Sequence, residues 1–429
     1  MKQRLTLTLL GVLFFLPGIR AQVSLDECQQ LAQENYPLVA KYNLIERSTE
    51  YSIKNINRGY LPQLTLSGQA SYQSDVASLP DLLNNILAQN GYNPQGLGKD
   101  QYKIALDLNQ VIWDGGNMRS RKEITRAQSG VMTAQTDVDM YAVRSRVNDL
   151  FFGILLIDEK LQLNKDLQAL LSDNCRKLEA LKTNGIATQS DIDAVKAEYL
   201  QTRQDEIKLN TMKSSYTQML CIFIGKEPAY ITRLQKPDDT MPDVANNNRP
   251  ELALFNSQIK QTDAQKKLLN SMATPRLSLF AQGYYGYPGL NMFDDMFDHD
   301  WSLNGIVGVR LTWNISNLYT RRNDKRKLDI SRNNIETARE VFLFNNRMKS
   351  TQDLSTIEQY RQMLQEDDNI IALRTSVRTA AESKLSHGTI DINALLQEIT
   401  RESKALIDKS SHEIELLKSI YELKHTINQ

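Results

Sequence analysis

A proline inside a helix removes a hydrogen bond and clashes with the preceding turn, so long helices run only where proline is absent. This chain of 429 residues has eleven prolines, yet none lies between Pro94 and Pro228 and none follows Pro288. Two stretches, roughly 117 to 225 and 317 to 428, are therefore free to run as helix over almost their whole length. Lys182-Thr-Asn-Gly-Ile-Ala-Thr-Gln-Ser-Asp-Ile192 interrupts the first, and Leu385-Ser-His-Gly-Thr-Ile-Asp-Ile-Asn-Ala-Leu395 the second. Both read as helix stop, glycine, capping residue and new helix. The pattern predicts two helical hairpins that fold back at Gly185 and Gly388.

The first outgoing limb, from about Met118 to Thr183, would span on the order of 100 Å at ~1.5 Å per residue, more than a compact globule needs. On the return limb, Ile192, Val195, Tyr199, Leu209, Tyr216, Leu220 and Phe223 follow a three-four spacing, but Thr202, Glu206 and Lys213 break it. So sparse a seam suits helices packed side by side in a wall with one wet face, rather than a dry two-stranded coiled coil. The return limbs are also shorter than the outgoing ones. Helices expected from Ser24 to Arg58, kinked at Pro37, and from Glu251 to Met272 would stack end to end on them and supply the missing length.

Charge is balanced, with 51 basic and 51 acidic residues, which gives no general field for nucleic acid. At the N-terminus, Lys2 and Arg4 precede an apolar run from Leu5 to Leu16, and small Ala21 follows: a secretory signal over residues 1–21. Its removal leaves a mildly acidic exported chain. No later stretch is apolar for the ~20 residues of a spanning helix, so any membrane crossing must be made by strands. Cys28, Cys175 and Cys221 lie far apart within helical patterns, which argues against a disulfide scaffold. Asp26 and Glu27 fit poorly with a lipid anchor on Cys28.

Strand signals come in pairs. From Leu61 to Tyr72, Leu64, Leu66, Gly68, Ala70 and Tyr72 alternate with Thr65, Ser67, Gln69 and Ser71; from Tyr102 to Trp113, Ile104, Leu106 and Leu108 oppose Lys103, Asp107 and Asn109. A loop of about thirty residues joins them. The order then recurs: a helix from Arg249-Pro-Glu-Leu252, a strand over 276–285, an acidic aromatic loop, a strand over 301–315 and the second hairpin. Pro62 corresponds to Pro275, Trp113 to Trp313 and Gly185 to Gly388, a tandem duplication with repeats at 22–225 and 249–429 and a linker at 226–248. Strands of ten to thirteen residues are long enough to cross an outer membrane at a tilt, although a soluble antiparallel sheet alternates in the same way.

Taken in order, Leu25-Asp-Glu-Cys-Gln-Gln-Leu-Ala-Gln-Glu-Asn-Tyr-Pro37, Tyr60-Leu-Pro-Gln-Leu64, Val111-Ile-Trp-Asp-Gly-Gly116, Ile224-Gly-Lys-Glu-Pro228, Arg249-Pro-Glu-Leu252 and the two glycine tips resemble the TolC-type outer-membrane efflux proteins. The resemblance implies an α+β membrane protein, a homotrimer in which four strands per chain close a twelve-stranded barrel that a helical barrel continues through the periplasm of a Gram-negative bacterium. It implies a passive exit duct of a tripartite efflux or type I secretion system, set in outer-membrane lipid. A periplasmic adaptor would bind the tips and link them to an inner-membrane pump, with no cofactor and no metal. The adaptor-docking residues would be Gly185, Ile186, Ala187 and Thr188 with Gly388, Thr389, Ile390 and Asp391. Helix termination alone would also account for the glycines, and Thr188 and Asp391 are natural caps for the returning helices. Some family members close the tip with acids six and nine positions after the second glycine, where this chain has Ala394 and Gln397. The candidate gate residues are therefore Asp191, Asp391 and Gln397, without a full acidic ring.

Other readings fit less of the chain. His299 between Asp298 and Asp300 is the only metal-like cluster and sits in a loop; a solvated loop is the plainer reading, and no catalytic residues are assigned. Asp114-Gly-Gly116 lacks the rest of a phosphate-binding loop. The basic run Arg321-Arg-Asn-Asp-Lys-Arg-Lys327 reads as the solvated first turns of a helix. A poreless periplasmic coiled-coil adaptor is the alternative, but adaptors carry one hairpin and not paired, duplicated amphipathic strands. The cargo is not written in the sequence.

Overall fold

The computed structural model describes residues 22–429; the expected signal segment, residues 1–21, lies outside them. The elements in order are α1 (Leu25–Asn35), α2 (Ala40–Arg58), β1 (Gln63–Tyr72), α3 (Asp81–Gln89), β2 (Asp100–Trp113), α4 (Asn117–Thr183), α5 (Gln189–Ile224), α6 (Pro250–Met272), β3 (Arg276–Tyr287), β4 (Ser302–Thr312), α7 (Asn317–Ser386) and α8 (Ile392–Ile427). No described helix is long and apolar enough to cross a membrane. Contacts divide the described residues into two units, one of residues 22–39, 138–249 and 343–429 and one of residues 40–137 and 250–342.

The first unit is helical. The Ser24 hydroxyl accepts from the Glu27 N–H to start α1, and a 3-10 turn over Pro37–Val39 separates α1 from α2, so the helix resumes at Ala40 rather than Leu38. Leu25, Cys28 and Ala32 of α1 are buried against Val147, Phe151 and Phe152 of α4 and Leu220 and Ile224 of α5. Gly153 allows α4 and α5 to close up, because a Cβ there would lie 2.6 Å from the Tyr216 ring. The three residues that break the α5 seam are paired rather than loose. Asn164 donates to the Thr202 carbonyl at 3.1 Å, Gln168 donates to Glu206 at 2.9 Å, and Lys213 meets Asp158 at 2.6 Å. They act as polar ties across the hairpin; the Asn164–Thr202 tie is buried and satisfies an amide that would otherwise be unpaired, while Lys213 and Asp158 stay partly exposed. Residues 226–248 run alongside: Val23 and Leu234 form a parallel bridge, and the Gln429 side chain donates to Asp243 and Asn246 carbonyls.

The second unit holds one antiparallel sheet in the order β1-β2-β3-β4, with α2, α6 and the first turns of α4 and α7. β1 begins only after Pro62, which has no N–H to offer a ladder. Asp114 accepts from the Gly116 and Met118 N–H groups and so caps the turn from β2 into α4. At the matching position, the Trp313 indole donates to the Ala273 carbonyl and Asn317 to that of Met272. The thirty-residue loop between β1 and β2 contains α3, a helix that the sequence pattern does not predict. α3 buries no residue and exposes Leu82, Leu83 and Ile86, so no stripe facing a core marked it.

Candidate functional site

Two places carry the residues singled out by sequence, the strand sheet and the hairpin tips. In the sheet, the register decides what the alternation means. Leu64 pairs with Leu108, Leu108 with Ala281 and Ala281 with Val307; four residues along, Gly68, Ile104, Tyr285 and Leu303 align. All four strands therefore place their apolar sets on one face. That face is open, with Leu303 83 %, Val307 75 % and Leu66 74 % exposed, far more than isolated surface leucines would require. The opposite face aligns Thr65, Asp107, Gln282 and Ile306. Lys103 donates to Gln282 at 3.0 Å, and Gln282 donates to Asp107 at 2.5 Å. On that polar face Ala105 and Tyr284 are buried within the single chain, as on the concave side of a curved sheet.

Aromatic residues mark both ends of the strands. Tyr102 and Tyr285 pack on Trp301 at one end, and Trp113 and Trp313 stand at the other. Such girdles suit the two water–lipid interfaces of a membrane sheet. The loops at the first end are folded together: Leu97, Tyr287 and Met296 form a small core, and the His299 ring nitrogen Nε2 contacts the Gly96 carbonyl oxygen at 2.8 Å. His299 holds a loop here, and no group of three metal-ligating side chains occurs among the described residues.

At the tips, Gly185 and Gly388 have φ of 72° and 68°, a left-handed conformation that suits glycine. The Gly185 and Ile186 N–H groups donate to the Lys182 and Leu181 carbonyls; Gly388 and Thr389 do the same to Leu385 and Lys384. Both helices thus end in the same glycine-terminated motif. Thr188 forms a capping box with Asp191, whose carboxylate accepts from the Thr188 N–H and hydroxyl, both at 2.7 Å. Asp391 accepts from the Ala394 N–H at 2.8 Å. Each of these acids serves its own hairpin, while Gln397 is exposed on α8. Ile186 is 56 % exposed, and Ala187 and Ile390 lean on a cluster built from Leu171, Leu178, Ile192, Val195, Leu395 and Ile399.

Behind the second tip lies a charge network that the sequence reading passed over. Arg378 meets Glu382 at 2.6 Å and also Glu402, and Glu398 takes Arg401 and, at 3.9 Å, Arg374. Arg378 is ten residues before Gly388 and Glu402 fourteen after it; at the same offsets from Gly185 stand Cys175 and Tyr199, which pack on the apolar tip cluster. Superposing the repeats on their glycines would have exposed this exchange of a packed pair for an ion pair.

Solved structures with this arrangement are outer-membrane channels. The outer membrane protein VceC of Vibrio cholerae has a TM-score of 0.64 at 12% identity, with 94% of this chain and 95% of that one covered. The Campylobacter jejuni CmeC outer membrane channel gives 0.64, 12%, 94% and 85%, and the Neisseria gonorrhoeae MtrE outer membrane channel, in its open state, 0.63, 14%, 94% and 88%. Residues 29–218 match the family model described as outer membrane efflux protein. The chain has the fold of a TolC-type outer-membrane efflux protein. No curated protein matches the sequence. The fold expected from the motif resemblance, an α+β chain of four strands and long helical hairpins, is borne out. The matched family and these TolC-type neighbours are channels rather than enzymes.

Proposed function

We propose that three copies of this chain form the exit duct of a tripartite efflux or type I secretion system, a passive path from a periplasmic adaptor and an inner-membrane pump to the exterior. One observation carries the reading: the register gathers the apolar residues of four strands onto one exposed face, while β1 and β4 each leave an edge without a strand partner among the described residues. An open apolar sheet with two free edges is an aggregation hazard in water. It becomes stable when copies pair edge to edge around a polar lumen with lipid outside, and three copies make twelve strands. A poreless periplasmic adaptor has no use for such a face. The tips, with Gly185, Ile186, Ala187 and Thr188 beside Gly388, Thr389, Ile390 and Asp391, are the adaptor-docking end, and Asp191, Asp391 and Gln397 are the candidate gate. Outer-membrane fractionation tests this reading: the protein should be found there and migrate as a heat-modifiable trimer. A monomeric, soluble periplasmic protein would overturn it.

A further inference from the structure

The polar face of the sheet is not electrically neutral. Following the register, the charged residues on it are Lys103 and Asp107 on β2, Arg276 on β3 and Arg310 on β4. β1 contributes only Gln, Thr and Ser to this face. Three cations therefore face one anion, a net of two positive charges per chain. The apolar face carries no charge in the strands beyond Asp100, which stands at the loop end.

Two of the three cations are also fixed in place. The Lys103 ammonium lies 4.2 Å from the centre of the Tyr284 ring, and the Arg310 guanidinium lies 4.5 Å from that of Phe280. A cation held over an aromatic face keeps its charge while lying flat on the wall. Asp107, which accepts from Gln282 at 2.5 Å, keeps its charge and opposes the cations. The basic sign continues past the strands into the first turns of α7, where Arg321, Arg322, Lys325, Arg326 and Lys327 outnumber Asp324 and Asp329. The acids near the other end, Asp294, Asp295, Asp298 and Asp300, lie outside the strands in the loop between β3 and β4, where Asp295 is buried and accepts from the Gly289 N–H.

We propose that the strand-built section of the duct favours anions, with Lys103, Arg276 and Arg310 setting the preference and Asp107 opposing it. The solutes this section passes most readily are small anions. The inference rests on the barrel reading above, in which the polar face lines the lumen. A narrow passage with low-dielectric walls focuses the field of fixed charges and enriches ions of opposite sign. The tips offer no full acidic ring to reverse this, because Ala394 and Gln397 carry no charge and only Asp191 and Asp391 remain as candidate gate acids.

The test is the reversal potential of the purified full-length protein in planar bilayers across a potassium chloride gradient. Chloride should be preferred over potassium about threefold, which a mean lumen potential of about half kT produces by enriching one ion and depleting the other. K103Q, R276Q and R310Q should each lower the ratio, and D107N should raise it. R310K should keep it, which separates loss of charge from disturbance of the wall. Heat-modifiable trimer migration of every variant verifies assembly. Step conductance with a potassium preference that none of these substitutions moves overturns this inference alone. Absence of any step conductance overturns the channel reading and the inference with it.

Discussion

Ile186→Glu combined with Thr389→Glu separates docking from folding at the tips. Ile186 is 56 % exposed, so less than half of its side chain contributes to the core. Full burial of isoleucine stabilises by roughly 1.5–3 kcal/mol, and the lost share is about 1 kcal/mol. The Thr389 hydroxyl donates to the Lys384 carbonyl at 2.9 Å, a bond contributing about 1 kcal/mol. Each hairpin therefore loses little, and the cluster of Leu171, Leu178, Val195 and Leu395 beneath is untouched. An unpaired carboxylate enclosed in a protein interface costs far more, several kcal/mol. At about 3 kcal/mol per site, adaptor affinity falls more than a hundredfold. The expected result is a double variant that assembles as a heat-modifiable trimer in the outer membrane but confers no drug resistance in an efflux-deficient host. Normal resistance with an intact trimer would refute the placement of the adaptor at these residues.

Three further outcomes follow from the same geometry. Divalent cations should block conductance weakly, since Asp191 and Asp391 are committed to their own helix ends; strong block that survives Asp191→Asn and Asp391→Asn contradicts the gate assignment. The Val307→Lys variant, with a cation on the apolar face at a residue 75 % exposed, should lose roughly 2–4 kcal/mol at mid-membrane depth, read as loss of trimer in outer-membrane fractions; unchanged trimer yield would count against lipid on that face. Burial pushes the Glu422 carboxyl above its ordinary value, with Lys418 and Lys349 acting against the shift and Asp353 and Asp149 adding to it. A carboxyl raised in the fold favours folding below its unfolded value, and this contribution is lost as pH rises through the folded value. Glu422→Gln should therefore raise the midpoint of thermal dissociation at pH 8 and lose its advantage as pH falls toward 4; equal midpoints at pH 8 would show that the surrounding lysines fully compensate the carboxylate.

Much of the arrangement was legible in the sequence because it depends on local rules. Proline placement marked the long helices, and Gly185 and Gly388 marked their turns because a helix end needs a left-handed residue whatever surrounds it. The alternation in four segments marked the strands. Repetition helped, since Pro62 and Pro275, or Trp113 and Trp313, each lent weight to the other. α3 escaped because its apolar residues face outward, and Thr202, Glu206 and Lys213 read as defects until their partners on α4 were visible. The network of Arg378 and Glu402 escaped because the two residues lie on opposite limbs of a hairpin.

By itself, then, the sequence determined every long helix and strand and where each must turn, since backbone sterics and hydrogen bonding act over a few residues. Only the tertiary structure decided the strand register, and with it that four apolar sets share one face while Lys103, Arg276 and Arg310 share the other. A shift of one residue in a strand exchanges its two faces without altering its alternation. The same limit applies at the tips, where the capping box of Thr188 and Asp191 is local, but the packing of Leu178 and Val195 with Leu395 is decided only by the fold.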